Sequence, residues 1–172
     1  MHPGNKTIEY RGVNVKITIE YDHGAEPPWV NNDGHGDTRW IRPNQDKTPG
    51  EVIIYKNRDG KLVYDFQSAM KTAKAEGWGE VREGETAGQR AERVVRADME
   101  YLRGWANEDW YYLGYTIETD IPGMEDMGDS LWGIESTAID DYLKEAVEHV
   151  KERIDKEIAE RIDAACRGIV TH

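Results

Sequence analysis

Two histidines and three aspartates fall within sixteen positions: Asp22-His23, then Asp33-Gly34-His35, with Asp37 close behind. Imidazole and carboxylate are ligands for zinc, iron or manganese, so Asp22, His23, Asp33 and His35 make a candidate mononuclear metal set. The D-G-H-G spacing matches no metal fingerprint with a known mechanism, and no helix offers His at i and i+4. Asp and His in such loops more often hydrogen-bond the backbone and hold its shape. Gly34 and Gly36 are then expected to supply positive φ, with His35 as an anchor between them. The structural reading ranks first, and neither a metal nor a cofactor is expected.

Other catalytic chemistry finds less support. The sequence has no G-x-S-x-G, H-E-x-x-H or G-x-x-x-x-G-K-[ST], so the common nucleophile, zinc and phosphate motifs are absent. Cys166 is the single cysteine, which excludes an internal disulfide and a cysteine-based zinc cluster. Gly77-Trp78-Gly79 lacks the strand-then-helix setting of a dinucleotide fingerprint. The acidic pairs Glu108-Asp109 and Asp140-Asp141 fall beside helix ends, where capping explains them. No catalytic residue is assigned, and a non-enzymatic protein is favoured.

These residues must be positioned by α+β elements, expected as one antiparallel sheet of about five to six strands packed by three helices. Residues 8–10 and 13–21 read as a hairpin turning at Arg11-Gly12. Val13, Val15, Ile17, Ile19 and Tyr21 alternate with Lys16, Thr18 and Glu20, the pattern of a half-buried strand. Residues 22–50 form a long ordered loop carrying Pro27, Pro28, Pro43 and Pro49, a length more usual in functional loops. Residues 51–56 and 61–64 make a second hairpin around Asn57-Arg58-Asp59-Gly60. Helical spacing begins at Asp65, with Phe66, Ala69, Met70 and Ala73 on one stripe and Gly77 as C-cap. A second helix covers about 86–107, with Ala91, Val94, Val95, Tyr101, Leu102 and Trp105 inward. Strands follow at 110–119 and 131–135, separated by an acidic turn at 120–129. Ser136 or Thr137 is expected to cap a final helix over about 137–165, read as a projecting element. Its stripe is Ile139, Leu143, Val147, Val150, Ile154, Ile158 and Ile162. All 172 residues are read as a single domain.

Composition narrows the classes. Mean hydropathy is −0.81, yet six Trp and nine Tyr exceed what disordered chains carry. Phe occurs once, so Trp and Tyr must fill the core and find partners for their polar atoms. No run approaches 18 apolar residues and no apolar leader is present, so a soluble cytosolic protein with no membrane contact is expected. The net charge is −12, and residues 118–163 hold fifteen Asp or Glu against five Lys or Arg. Direct nucleic-acid binding is disfavoured, since it needs a basic stripe. An acidic field attracts basic surfaces instead, including the nucleic-acid grooves of other proteins. Solubility alone would also explain it. Interaction candidates are Trp29, Asp33, His35 and Trp40 in the long loop, Trp110 and Trp132 in the late strands, and Asp140, Asp141, Glu145 and Glu148 on the last helix. Aromatics favour interfaces, although in a Phe-poor chain they are also core filler.

The ordered motifs P-W-x-x-x-D-G-H-G-x-x-x-W at 28–40, D-K-x-P-G-E at 46–51, Y-D-F-Q-S-A-M-K-T-A-K-A-E-G-W-G at 64–79 and S-L-W-G-I-E-S at 130–136 resemble a family of small tailed-phage and prophage proteins. That family has no established activity, so no residue role transfers. The resemblance implies an accessory protein of a bacterial host cytoplasm, often an acidic inhibitor of host defence or metabolism. The leading expectation is a non-enzymatic binder of a host protein, such as a nuclease or another defence component with a basic surface, that mimics nucleic acid. A small metal-dependent enzyme or ligand binder using the Asp/His loop is the second. A phage structural or assembly partner, forming a homodimer through the last helix, is the third.

Overall fold

The computed structural model describes residues 3–30, 34–121 and 128–170, with side chains through Arg167. Its elements run β1 (Gly4–Tyr10), β2 (Val13–Tyr21), β3 (Thr38–Ile41), β4 (Glu51–Lys56), β5 (Lys61–Asp65), α1 (Phe66–Glu76), α2 (Ala87–Ala106), β6 (Tyr112–Thr119), β7 (Asp129–Glu135) and α3 (Ile139–Val170). The α+β class is as expected, but the strands form two antiparallel sheets, β1-β2-β6-β7 and β3-β5-β4. The expectation of one sheet with five or six strands is therefore corrected. β3 lies inside the segment read as loop at 22–50; with four residues between prolines and glycines, it is too short to show alternation.

The chain divides into two compact units, Met1–Ala25 with Tyr111–His172, and Glu26–Trp110. In sequence the second is inserted into the first, and no linker composition marks the joins.

The first unit starts from the β1–β2 hairpin. Arg11 (φ 51°) and Gly12 (φ 77°) are both left-handed, the requirement of a two-residue turn that matches strand twist. β1 begins at Gly4 rather than Ile8, because pairing extends from Tyr10↔Val13 to Gly4↔Ile19. β2 then pairs with β6, which puts Val15, Ile17 and Ile19 on one face with Leu113, Tyr115 and Ile117. α3 lays Ile139, Leu143, Ala146, Val150 and Ile154 on that face. Removing such side chains from water is the main stabilising term, about 25 cal/mol per Å². Tyr10 donates its hydroxyl to Asp155 Oδ2 at 2.9 Å, tying the hairpin to the helix.

α3 starts at Ile139, and no Ser or Thr cap holds it as anticipated; the Ser136 hydroxyl accepts from Tyr111 N–H at 3.2 Å instead. Asp140 and Asp141 sit in its first turn, where carboxylates offset the helix dipole. From Ala159 to Arg167 every residue is exposed, including Ile162 at 60%. The inward stripe thus ends before Ile162, which departs from the stripe read in the sequence, and these last turns extend past the sheet.

The second unit packs α1 and α2 against β4 and β5 through Ile54, Leu62, Tyr64, Ala69, Ala73, Ala91, Val95, Met99 and Leu102. Asp65 accepts from Ser68 N–H and caps α1, and Gly77 closes it at φ 71°. Thr86 and Gln89 form a capping box on α2, worth about 1 kcal/mol to its N-terminus.

Candidate functional site

The D-G-H-G loop is fastened by one carboxylate that its own sequence does not contain. Asp98 on α2 sits 2.5 Å from His35 Nδ1 through Oδ1. Its Oδ2 accepts from Gly36 N–H at 2.9 Å and from the Tyr64 hydroxyl at 2.7 Å. A carboxylate can only accept, so Nδ1 carries the proton, and Nε2 has no hydrogen-bond partner among the described residues. The His35 ring stacks on Tyr101, with centroids 5.4 Å apart and planes 12° apart. Tyr64 is fully buried, and burial first, then Asp98, raises its pKa far above the usual phenol range. The hydroxyl therefore stays a donor, as the triple junction requires.

The two glycines do different work from that expected. Gly34 has φ +81°, as anticipated. Gly36 is not among the positive-φ glycines; a Cβ there would run into the Tyr64 hydroxyl and ring. Its requirement is room for Tyr64 rather than a left-handed backbone, a distinction that spacing cannot make. Asp33 lies outside the described residues.

Three of the tryptophans singled out for interaction lie in this unit. Trp29 packs edge-on to Trp105 at 5.0 Å and 87°. Trp110 is buried, lies 4.5 Å from the Tyr101 ring, and donates its indole N–H to the Tyr101 carbonyl at 2.9 Å. Trp40 is 51% exposed and meets Tyr55 edge-on at 6.1 Å. A second junction escaped the sequence reading. Glu51, 5% exposed, takes a bidentate contact from Arg39 at 2.6 and 2.9 Å and the Thr48 N–H at 2.6 Å. Arg39, then Thr48, hold its carboxyl below the ordinary range against the opposing cost of burial. The fork geometry of guanidinium on carboxylate is among the stronger polar contacts.

In the other unit Asp22 is a loop clamp. Oδ1 accepts from Gly24 and Ala25 N–H at 3.0 and 3.1 Å, and Oδ2 from Gly133 N–H at 2.9 Å. The His23 ring lies 6.0 Å from that of Tyr21. Asp22 and His23 thus belong to one unit and His35 to the other. Among the described residues no three His, Cys, Asp or Glu side chains are grouped to hold a metal.

Trp132 on β7 is 47% exposed. Its ring covers Gly114 so closely that a Cβ on that glycine would strike it. The acidic candidates Asp140, Asp141, Glu145 and Glu148 are all exposed on α3. With Glu152 they extend a regular pattern, since Asp141, Glu145, Glu148 and Glu152 are spaced four, three and four residues apart and so share one helix face. Glu148 is bridged by Lys151 at 2.7 Å; Asp141, Glu145 and Glu152 have no ion pair among the described residues. Sequence reading stopped at Glu148, although the same spacing continues one turn further.

No family model matches this chain, and no curated protein or solved structure matches it. Among the described residues no helix is long and apolar enough to cross a membrane.

Proposed function

We propose that this protein is a non-enzymatic binder of a partner protein with a basic surface, and that α3 carries the contact. The observation behind this reading is the exposed row Asp141, Glu145, Glu148 and Glu152. Its opposite side, Leu143, Ala146 and Val150, is buried on the sheet, so the row is held on a rigid element. At 1.5 Å per residue it spans about 16 Å, about one negative charge per 5 Å. A DNA strand presents about one per 3.4 Å along its axis, so a groove built for phosphates would meet a comparable charge density. The resemblance to tailed-phage accessory proteins supplies the setting, a bacterial host whose nucleases or defence components carry such grooves.

Affinity capture from bacterial lysate tests the reading. Protein captured at about 50 mM salt should be released by about 300 mM, because contacts between exposed charges are screened within a Debye length of roughly 6 Å at the higher value. The fourfold variant Asp141→Asn, Glu145→Gln, Glu148→Gln, Glu152→Gln should capture none of it. Equal capture by the variant would sink the proposal.

A second reading rests on the His35–Asp98 pair, whose free Nε2 is the arrangement of an oriented general base. It predicts an activity or ligand affinity removed by His35→Ala while the fold remains intact. If that variant differs from wild type only in stability, the pair is a fastening.

A further inference from the structure

The polar face of the four-stranded sheet carries an aromatic platform that packing alone does not require. Trp132 and Gly133 together stand opposite Gly114, between the pairs Leu113↔Ile134 and Tyr115↔Leu131, which is a bulge of two residues against one. Gly133 takes φ +75°, and its N–H is clamped by Asp22 Oδ2 at 2.9 Å. Bulges re-aim side chains, and this one lays the indole over Gly114, the position on β6 with no side chain. One ring face rests on the sheet and nearly half the side chain remains exposed. Three separate features, a missing side chain, a left-handed glycine and a carboxylate clamp, fix one solvent-facing Trp.

What lies beside the ring indicates what it would take. Glu20 pairs directly with Gly114 across β2 and β6, so its side chain rises next to the indole on the same face. Glu20 is exposed and has no ion pair among the described residues. The neighbouring Lys16 is paired with Glu118 at 2.9 Å, and Asp22 is occupied by three backbone N–H groups. Trp132 and Glu20 line one open groove of about 810 Å³, together with Asn5, Lys16, Thr18 and His23. A flat π-face beside an uncompensated carboxylate suits a planar cation. Guanidinium stacks on Trp while its N–H fork engages a carboxylate, which the compact, more strongly hydrated ammonium of lysine does less well.

We infer that this groove receives an arginine side chain of a partner protein, stacked on Trp132 and paired with Glu20. The inference rests on the basic-partner reading but uses a different surface from the acidic row on α3. Calorimetric titration with blocked hexa-arginine and hexa-lysine peptides separates the two. Hexa-arginine should bind about three- to tenfold more tightly than hexa-lysine, the factor expected of an exposed cation–π contact with a carboxylate. Trp132→Ala and Glu20→Gln should each remove that preference while leaving hexa-lysine unchanged. Glu20 is on the surface, so its variant keeps the test open even if Trp132→Ala unfolds. Equal binding of both peptides, or an arginine preference untouched by Glu20→Gln, overturns the groove while leaving the acidic row standing. Binding of both hexapeptides that the fourfold α3 variant and added salt leave unchanged, with the arginine preference intact, overturns the acidic row alone. Free arginine binding as tightly as the hexapeptide would replace the protein partner with a small molecule and overturn the assignment as stated.

Discussion

At the scale of single residues, Asp98 ties three separate segments of the inserted unit together. It receives His35, Gly36 and Tyr64 at once, and its side chain is 10% exposed. Replacing it with Ala leaves a buried phenol and a backbone N–H without acceptors, each costing about 1–3 kcal/mol. Asp98→Ala should therefore destabilise the protein by about 3 kcal/mol in urea unfolding, and a change below about 1 kcal/mol would show the junction to be incidental. Little of this was legible beforehand. His35 stood out by its neighbours, but its partner is 63 positions away on a helix whose acidic residues otherwise read as solvated face. Tyr64 looked like a strand residue and no more. Long-range polar pairing leaves no periodic trace, unlike the helix caps at Asp65, Gly77 and Thr86, which depend on neighbours along the chain.

At the scale of elements, Arg39 and Glu51 join β3 and the preceding turn to β4. Arg39 stays 43% exposed, so the loss on Glu51→Ala should sit near the low end for a broken buried pair, about 3 kcal/mol. The folded-state carboxyl titrates below its unfolded value. Its contribution is therefore complete above the unfolded carboxylate range and is lost as pH falls through the lower, folded value. Thermal unfolding of wild type and Glu51→Gln should converge as pH drops toward that lower range; a difference that stays constant from neutral pH into acid would contradict the assignment. β3 itself was hidden because four residues between turn-formers carry no alternation. The hairpins were legible because their turns are local chemistry: Arg11-Gly12, and Asn57, whose Oδ1 accepts from Asp59 and Gly60 N–H. The split into two sheets was not, since strand order depends on which strands meet, and no local pattern records that.

At the scale of the whole molecule, the sequence shows where charge concentrates, and the fold shows which of it is displayed. Of the −10 carried by residues 118–163, nine Asp or Glu against five Lys or Arg, a net of −4, fall on α3, the helix that also supplies five core residues of the first unit. Cutting the chain at residue 144 would remove Ala146, Val150 and Ile154 and unfold that unit. Ending it after Ile158 removes only exposed side chains among those described. That shorter form should unfold within about 2 °C of the full chain, since surface changes typically stay within about 0.5 kcal/mol. A larger drop would mean that the last turns pack on something, and sedimentation of both forms would show whether it is a second copy. The binding account is tested most directly on a captured partner, by measuring Kd from about 50 to about 300 mM salt for wild type and for the fourfold α3 variant. The account predicts a steep weakening with salt for wild type, and a variant that binds at least tenfold more weakly at low salt with a shallower slope. Matching affinities and matching slopes would contradict it.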